Sequence, residues 1–555
     1  MNRKNLTCAV LAGLAGVAGL AATAQAVNLN PDGLGQVLVY PYYTANDGNQ
    51  TILSVVNTTD QAKAVKVRFL EGFNSREVLD FNLYMSMHDV WVASIADQGD
   101  GPVLLIPDNS CTVPYLYEIA NGVQPFLDLR YTGDFEDGGP TSIGRAAEGH
   151  FEMIEMGVLT GDSAADVTHG EDGMPADCAE LSDKWTEVIG GDSGIWWEEA
   201  NGVAEVDCPA TTAEGEACTD MARSSGGLFG GAAVVNADNG TMYSYDAKAI
   251  QGFDKSPNGL HYEPGDELPS LASGDQNTSW VFFGVPQNRA VDLTYNTSVG
   301  AVSSVFMHET VMNEYVTVEG AAGTEWVVTF PTKAFYADEY LMNFLEIDDT
   351  REVCTDPIED ETDPDYPCDE DDLVDVTFPR APFTNLFGEG CEIVSLKTWD
   401  RNELTFEPDG PPGVVRPPVV SPAPPDPCAE GFDEECTVET VFELCNEVNV
   451  LRFGEQSVFG TPDFGDDGSL LLSVEDEFAA GWGRLSMAIG GFDKNDDPIL
   501  RTDQNGLVGL PVTGFSAWEF ENNYAEGGTI KAFYGGLFQH KGNVRGVAVA
   551  TPLDD

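Results

Sequence analysis

Val78-Leu79-Asp80-Phe81-Asn82-Leu83-Tyr84-Met85 decides the fold class. Leu79, Phe81, Leu83 and Met85 recur at every second position with Asp80 and Asn82 between them, the period of a strand that turns one face to a core and the other to water. A helix would space its apolar residues three and four apart. Just upstream, Val65, Val67 and Phe69 alternate with Lys66 and Arg68 in the same way, and residues 51–56 and 90–95 are short β-branched runs. Asn46-Asp47-Gly48, Asn57-Thr58-Thr59-Asp60 and Glu71-Gly72-Phe73-Asn74-Ser75 separate these runs as turn signals. Short strands at this spacing predict an antiparallel, immunoglobulin-like β-sandwich over 27–106.

The same alternation returns at 150–159, 326–330, 391–399, 444–453 and 515–520, so the chain reads as all-β with few short helices. One helix is expected near 177–189, with Leu181, Trp185 and Val188 on one side. At 555 residues the chain is long enough for more than one core. The sandwich is followed by a β-rich region over 107–345, an acidic segment over 346–375, strands over 376–407, a proline-rich connector over 408–427 and a β-rich region over 428–555. Nine of the twenty connector residues are proline, which supplies no ladder donor and favours an extended conformation. The flanking stretches 391–399 and 444–453 read as a hairpin carrying a long insertion, ahead of a two-domain alternative. The acidic segment holds fifteen Asp and Glu and encloses Cys354 and Cys368, as expected of a disulfide-closed loop.

Residues 1–26 have the form of an export signal: Arg3 and Lys4, an apolar stretch over 6–22, then Ala24-Gln25-Ala26 as a small-x-small cleavage site. The mature chain is expected to start at Val27, with no membrane span after cleavage, in the periplasm, at the outer cell surface or outside the cell. Acidic side chains number 93 against 26 basic, a net charge of −67 that repels phosphate backbones and anionic lipid and so excludes nucleic acid as a partner. With Cys8 in the signal, ten cysteines remain, an even number that favours disulfides. Short closed loops pair Cys208 with Cys218, Cys354 with Cys368 and Cys428 with Cys436. Cys391 and Cys445 fall on strands that can neighbour each other, and Cys111 then pairs with Cys178.

Asn28-Leu29-Asn30-Pro31-Asp32-Gly33-Leu34-Gly35-Gln36 leads into Tyr40-Pro41-Tyr42-Tyr43-Thr44, followed by Leu53-Ser54-Val55-Val56-Asn57-Thr58-Thr59 and Val67-Arg68-Phe69-Leu70-Glu71-Gly72. With Ile154-Glu155-Met156-Gly157, the stretch 326–336 and Gly535-Gly536-Leu537-Phe538, these motifs resemble a family of exported, cell-surface-like proteins of proteobacteria across nearly the whole mature chain. The resemblance implies an exported bacterial protein; the family has no established activity and offers no catalytic residue to carry over.

Candidate chemistry is thin. Gly191-Asp192-Ser193-Gly194 matches the loop around a chymotrypsin-like nucleophile, but Ile195-Trp196 follow it and none of His88, His150 or His169 has the matching context, so a surface turn is expected. Glu152 and Glu155, three apart on a strand, point to opposite faces and should not converge as a glycosidase pair. Calcium is the one candidate cofactor: Asp493, Asn495 and Asp497 place oxygen ligands at alternate positions, although Pro498 breaks the EF-hand pattern, and 463–475 offers a weaker loop with Gly465 at a ligand position. The ending Thr551-Pro552-Leu553-Asp554-Asp555 lacks the aromatic last strand of an outer-membrane barrel.

The expected role is that of a non-enzymatic surface, matrix or binding protein with a glycan or protein partner. The rival is a carbohydrate-binding or carbohydrate-active protein, which a row of exposed tryptophans, including Trp196 and Trp197, would favour. A third reading is a self-assembling filament subunit in which residues 37–43 complete a neighbour's sheet.

Overall fold

The computed structural model describes residues 26–547, apart from 119–120, 190–192, 202–219, 258, 285–286, 320, 346–348, 355–372, 387–390, 404, 407–440, 463–469, 473–478, 493–497 and 523–531. The chain divides into two compact units. The first holds the described residues up to Leu70, with Glu77–Leu127 and His150–Phe306; the second holds Glu71–Arg76, Asp128–Gly149 and the described residues from Met307 onward.

The first unit is a sandwich of two antiparallel sheets. Its strands are β1 (Asn28–Leu29), β2 (Val37–Thr44), β3 (Asn49–Asn57), β4 (Lys63–Glu71), β5 (Glu77–Met85), β6 (Val90–Asp97), β7 (Pro102–Leu105), β8 (Cys111–Val113), β9 (Val123–Pro125), β10 (Glu148–Leu159), β11 (Met221–Ala222), β12 (Leu228–Asn236), β13 (Thr241–Asp246) and β14 (Lys248–Gln251). The eight-stranded sheet runs β1-β14-β2-β10-β4-β5-β8, with β11 also on β10, and the six-stranded sheet runs β13-β12-β3-β6-β7-β9. Between them Tyr40 stacks on Phe151 with centroids 4.1 Å apart, Phe69 and Phe126 close the cluster, and Phe81 meets Trp91 at 5.7 Å.

A sandwich does exist where the alternation of Val78–Met85 places one, but it is not confined to 27–106. β10 lies between β2 and β4, and β12 between β3 and β13, so later strands occupy the middle of both sheets. The strands before residue 106 therefore do not make a closed set of neighbours. β2 is buried along its whole length and flanked by β14 and β10, so the stretch 37–43 has no free edge with which to complete a neighbour's sheet.

The helix expected at 177–189 is the single turn and a half Cys178–Asp183, capped by the Asp177 carboxylate, which accepts from the Ala179 and Glu180 amides. Leu181 and Trp185 are buried, but the chain leaves the helix before Val188, which is exposed. Cys178 is bonded to Cys111 on β8, closing a separation of 67 residues. Around this bond Tyr84, Trp185, Trp196, Leu181 and Met156 form a second small core on the outer side of the eight-stranded sheet.

The second unit is also a sandwich. One sheet orders the strands Thr405–Phe406, Glu392–Asp400, Ala480–Ser486, Thr310–Val316 and Lys541–Asn543, with Val441–Leu444 also paired to Glu392–Asp400. The other orders Leu470–Leu472, Val448–Phe453, Ala322–Thr329, Thr513–Asn522 and Ala532–Gln539. Trp326 fills the space between them, 5.0 Å from Phe453, and Phe453 stacks on Tyr315. Arg145 is held between Glu71 and Asp137 at 2.8 and 2.6 Å, and Arg76 reaches Asp338 at 3.0 Å, so this unit buries paired charge.

The hairpin expected from 391–399 and 444–453 divides. Val441–Leu444 pairs with Glu392–Asp400, whereas Val448–Phe453 crosses to the opposite sheet. The Cys391–Cys445 disulfide stands beside the Glu392↔Leu444 pair, where the chain makes that crossing. Part of the acidic segment is strand: Asp349–Cys354 pairs antiparallel with Leu373–Phe378. Cys208, Cys218, Cys368, Cys428 and Cys436 lie outside the described residues, as does the side chain of Cys354. Among the described residues no helix is long and apolar enough to cross a membrane.

Candidate functional site

Charged side chains gather in two very different places on the sheets, and the first is covered. Lys66, Arg68, Asp80 and Asn82, which the alternation assigns to solvent, are buried or nearly so, and residues 262–265 lie over Lys66, Asp80 and Asn82. Lys66 donates to the Glu263 carbonyl at 3.1 Å and pairs with Asp80, whose carboxylate also accepts from the Gly265 amide at 2.8 Å. Asn82 donates to the Tyr262 carbonyl at 2.9 Å. Arg68 pairs with Glu77 at 2.8 Å and with Glu152. Burial, reinforced by the Asp80 charge, pushes the Glu77 carboxyl up to about 7. His150 is fully buried beside this group, neither ring nitrogen has a hydrogen-bond partner among the described residues, and burial with the Arg68 charge pushes it down to about 3. A layer this well covered and internally paired holds the sheet together and offers a substrate no way in.

The other readings of the sequence resolve one by one. Glu155 lies on the opposite face from Glu152, bonded to Lys63 at 2.6 Å and to the Ser225 and Gly226 amides at 2.9 and 2.6 Å, so the two carboxylates do not converge. Ser193 accepts from the Val188 amide at 2.9 Å, in a turn. His169 meets Ser86 at 3.2 Å. A serine–lysine pair that the sequence did not signal, Ser163 with Lys184, has its ammonium shared with Asp220 at 3.4 Å and Asp166 at 3.8 Å, and Ser163 is fully buried. That contact ties chain segments together and leaves no access for a substrate. Trp196 is buried against Tyr84 and Trp185 rather than exposed, and Trp197 is half-buried. Asp493, Asn495 and Asp497 lie outside the described residues, as does most of 463–475; nearby Asp503 accepts from the Asn505 and Leu507 amides in a turn. Among the described residues no group of three His, Cys, Asp or Glu is arranged to hold a metal.

The second gathering is open. On the six-stranded sheet of the second unit, Trp399 of Glu392–Asp400 and Trp482 of Ala480–Ser486 are directly opposite in register and stack with centroids 4.2 Å apart and planes within 9°. Trp482 is 38% exposed, on a strand rather than a loop. Cross-strand partners share a face, so register alone reads out the rest of this surface. Next to the tryptophans comes Lys541–Met312–Arg484–Lys397, one residue from each of four adjacent strands. Beyond it comes Asn543–Thr310–Ser486–Ser395, again one from each strand. Glu314 extends the tryptophan row on its exposed side.

The electrostatics of this face differ from those of the covered one. The Arg484 guanidinium lies 5.3 Å from the Trp399 ring centre and the Lys397 ammonium 5.9 Å from it, both in cation–π range. Neither Arg484 nor Lys541 has a carboxylate partner among the described residues. Gly481 and Gly483 flank Trp482 and point inward. A Cβ at Gly483 would come within 2.9 Å of the Trp326 ring, so glycine there lets the core tryptophan sit directly under the exposed pair. The arrangement is a stacked tryptophan pair beside a row holding Lys541, Arg484 and Lys397 and a further row of hydroxyl and amide side chains. Among the described residues it shows no acid and base paired at one point.

The sequence carried half of this signal. Lys397-x-Trp399 and Trp482-x-Arg484 are both period-two strand patterns with a cation beside a tryptophan, but they stand 83 positions apart and only register brings them together. No family model, curated protein or solved structure matches the chain.

Proposed function

We propose that the chain is an exported, non-enzymatic binding protein of the cell surface or its surroundings, and that its ligand is a glycan held on the Trp399–Trp482 face. The observation that carries this is the stacked tryptophan pair on paired strands, Trp482 exposed and Trp399 half-buried, with Trp326 beneath. The side of the Trp482 indole turned away from Trp399 is the one left to attract the slightly positive C–H groups of a pyranose ring, and the neighbouring Ser, Thr and Asn side chains suit its hydroxyls. A large aromatic exposed on a rigid strand gains little for folding, so its placement favours recognition. Export is supported by the signal-like residues 1–26 and by two disulfides, which persist in oxidising compartments.

The test is a glycan array probed with the mature chain and with a Trp399→Ala, Trp482→Ala double variant. The expected result is binding to a defined glycan class that disappears in the variant while its melting curve stays in place. A blank array, or binding indifferent to both substitutions, overturns the reading.

A further inference from the structure

We infer that the outer face of the six-stranded sheet in the first unit is where a second copy of this chain docks, sheet face against sheet face, to form a symmetric dimer. The inference concerns the first unit alone and does not rest on the glycan reading.

Strands β3, β6, β12 and β13 send alternate residues into the sandwich, among them Leu53, Trp91, Val234 and Tyr243. The positions between them point away from that core, where an antiparallel sheet with one solvated face carries polar side chains. Here they are largely apolar. Val90, Val56 and Phe229 form one register row, Ile52 stands beside Ala233 two rows on, and Met242 and Val235 follow in the next row. Phe229 is 43% exposed, Ile52 46%, Val90 50% and Met242 58%. Exposed apolar residues scattered singly are ordinary, but register makes these contiguous, and a contiguous apolar face marks a contact surface.

Charge separates this face from the rest of the molecule. The chain holds 93 Asp and Glu in 555 residues, yet at the outward positions of these four strands the one charged side chain is Asp246, at the end of edge strand β13. Gln50 donates to Ser94 at 2.9 Å, so two of the few polar side chains on the face already hold each other, which lowers the cost of drying them.

The same features point to the occupant. A charged partner is recognised by charge, and a sugar by a set of hydrogen-bonding groups; this face is poor in both. What fits is a flat, uncharged apolar surface, and a second copy brings one, since two β-sheets pack face to face about 10 Å apart. Two chains of net charge −67 repel each other, and they do so least where neither brings a run of carboxylates to the contact. The size is sufficient. With strands about 4.8 Å apart and outward residues about 6.8 Å apart, four strands and four rows cover roughly 500 Å², so two copies bury about 1,000 Å², the size at which specific association begins. A two-fold axis uses the same patch on both copies and closes the assembly at two.

The experiment is sedimentation velocity on the mature full chain over about 1–100 μM, in about 20 mM and 300 mM sodium chloride. The expected result is a monomer–dimer equilibrium that tightens severalfold in the higher salt, because screening weakens the repulsion and leaves the apolar contact in place. An Ile52→Glu, Phe229→Glu variant should weaken the dimer at least tenfold with its melting curve unchanged. Met242→Glu, at the most exposed of these positions on an edge strand, is the milder second variant and should weaken it about threefold. Phe282→Glu, at a residue 55% exposed on the separate strand Thr278–Phe283, should leave the dimer intact. A chain that stays monomeric at every concentration and salt overturns the inference, as does a dimer that neither face variant weakens or that Phe282→Glu weakens equally. Cosedimentation of a monomeric chain with neutral phosphatidylcholine vesicles, lost in the double variant, would show that lipid covers this face and overturns it too.

Discussion

The strand that carries Lys66 and Arg68 and the strands that carry Lys397 and Arg484 begin from the same pattern, a cation at alternate positions of a half-apolar strand, and end in opposite environments. In the first unit a later stretch of chain, residues 262–265, lies over Lys66, and Lys66 and Arg68 each find a carboxylate. In the second the face is left open, and the cations lie against indole rings instead. The difference teaches that one strand pattern can end as covered, paired charge or as open charge in a very acidic protein. A buried pair neutralises itself, whereas Arg484 on the open face has no carboxylate partner among the described residues. This contrast can be broken or sharpened by measurements on the two faces.

The largest expected effect is on the covered face. Arg68→Met leaves Glu77 and Glu152 buried without their cation and should cost the first unit about 3–5 kcal/mol, read from urea unfolding. A cost below about 1 kcal/mol would mean that water reaches this layer and that the face is not covered as described.

The next effect is one of pH. His150 is held neutral when folded, since burial and the Arg68 charge push its value down to about 3, whereas an unfolded chain binds the proton near 6.5. Its contribution to stability is therefore fully present above pH 6.5 and is lost as the pH falls from 6.5 toward 3, at up to about 1.4 kcal/mol per pH unit. His261, also pushed to about 3 by burial and the Lys66 charge, acts in the same sense. His150→Leu should flatten the acid limb by one histidine's share in unfolding curves taken at stepped pH. Parallel limbs for wild type and variant would show that the ring exchanges protons freely and is not sealed.

The smallest effect is on the open face. Arg484→Met should leave the melting temperature of the second unit nearly unchanged, within about 0.5 kcal/mol, because no described carboxylate loses a partner. A loss comparable with that of Arg68→Met would erase the distinction between the two faces.

The fold class was legible from Val78–Met85 because alternation is a local property: the period of a strand is written into eight residues. What covers a strand is not local. Asp80 and Asn82 carried every sign of a solvent face, and they are covered because Tyr262 and Gly265, some 180 positions later, bring backbone groups to them. The same limit explains the sandwich boundary, since nothing in residues 27–106 announces that β10 will enter between β2 and β4. Cys391 with Cys445 was reachable from strand adjacency and Cys111 with Cys178 as the pair that then remained, and both bonds are present. At the candidate site the two half-patterns were visible at 399 and 482, but attention fell on Trp196 and Trp197, whose adjacency in sequence is that of a short helix with Trp196 turned into the core.

The order of strands in the eight-stranded sheet also sets a clock. Among the described strands β1 pairs with β14, Asn28 standing opposite Gln251 across 223 positions, and β14 separates β1 from β2. At a synthesis rate of about 5–20 residues per second, roughly 10–45 seconds pass between the appearance of the sheet's first strand and that of its partner. For that interval the first strand waits without the strand it will pair with, so this margin of the sheet cannot close until residue 251 has been made.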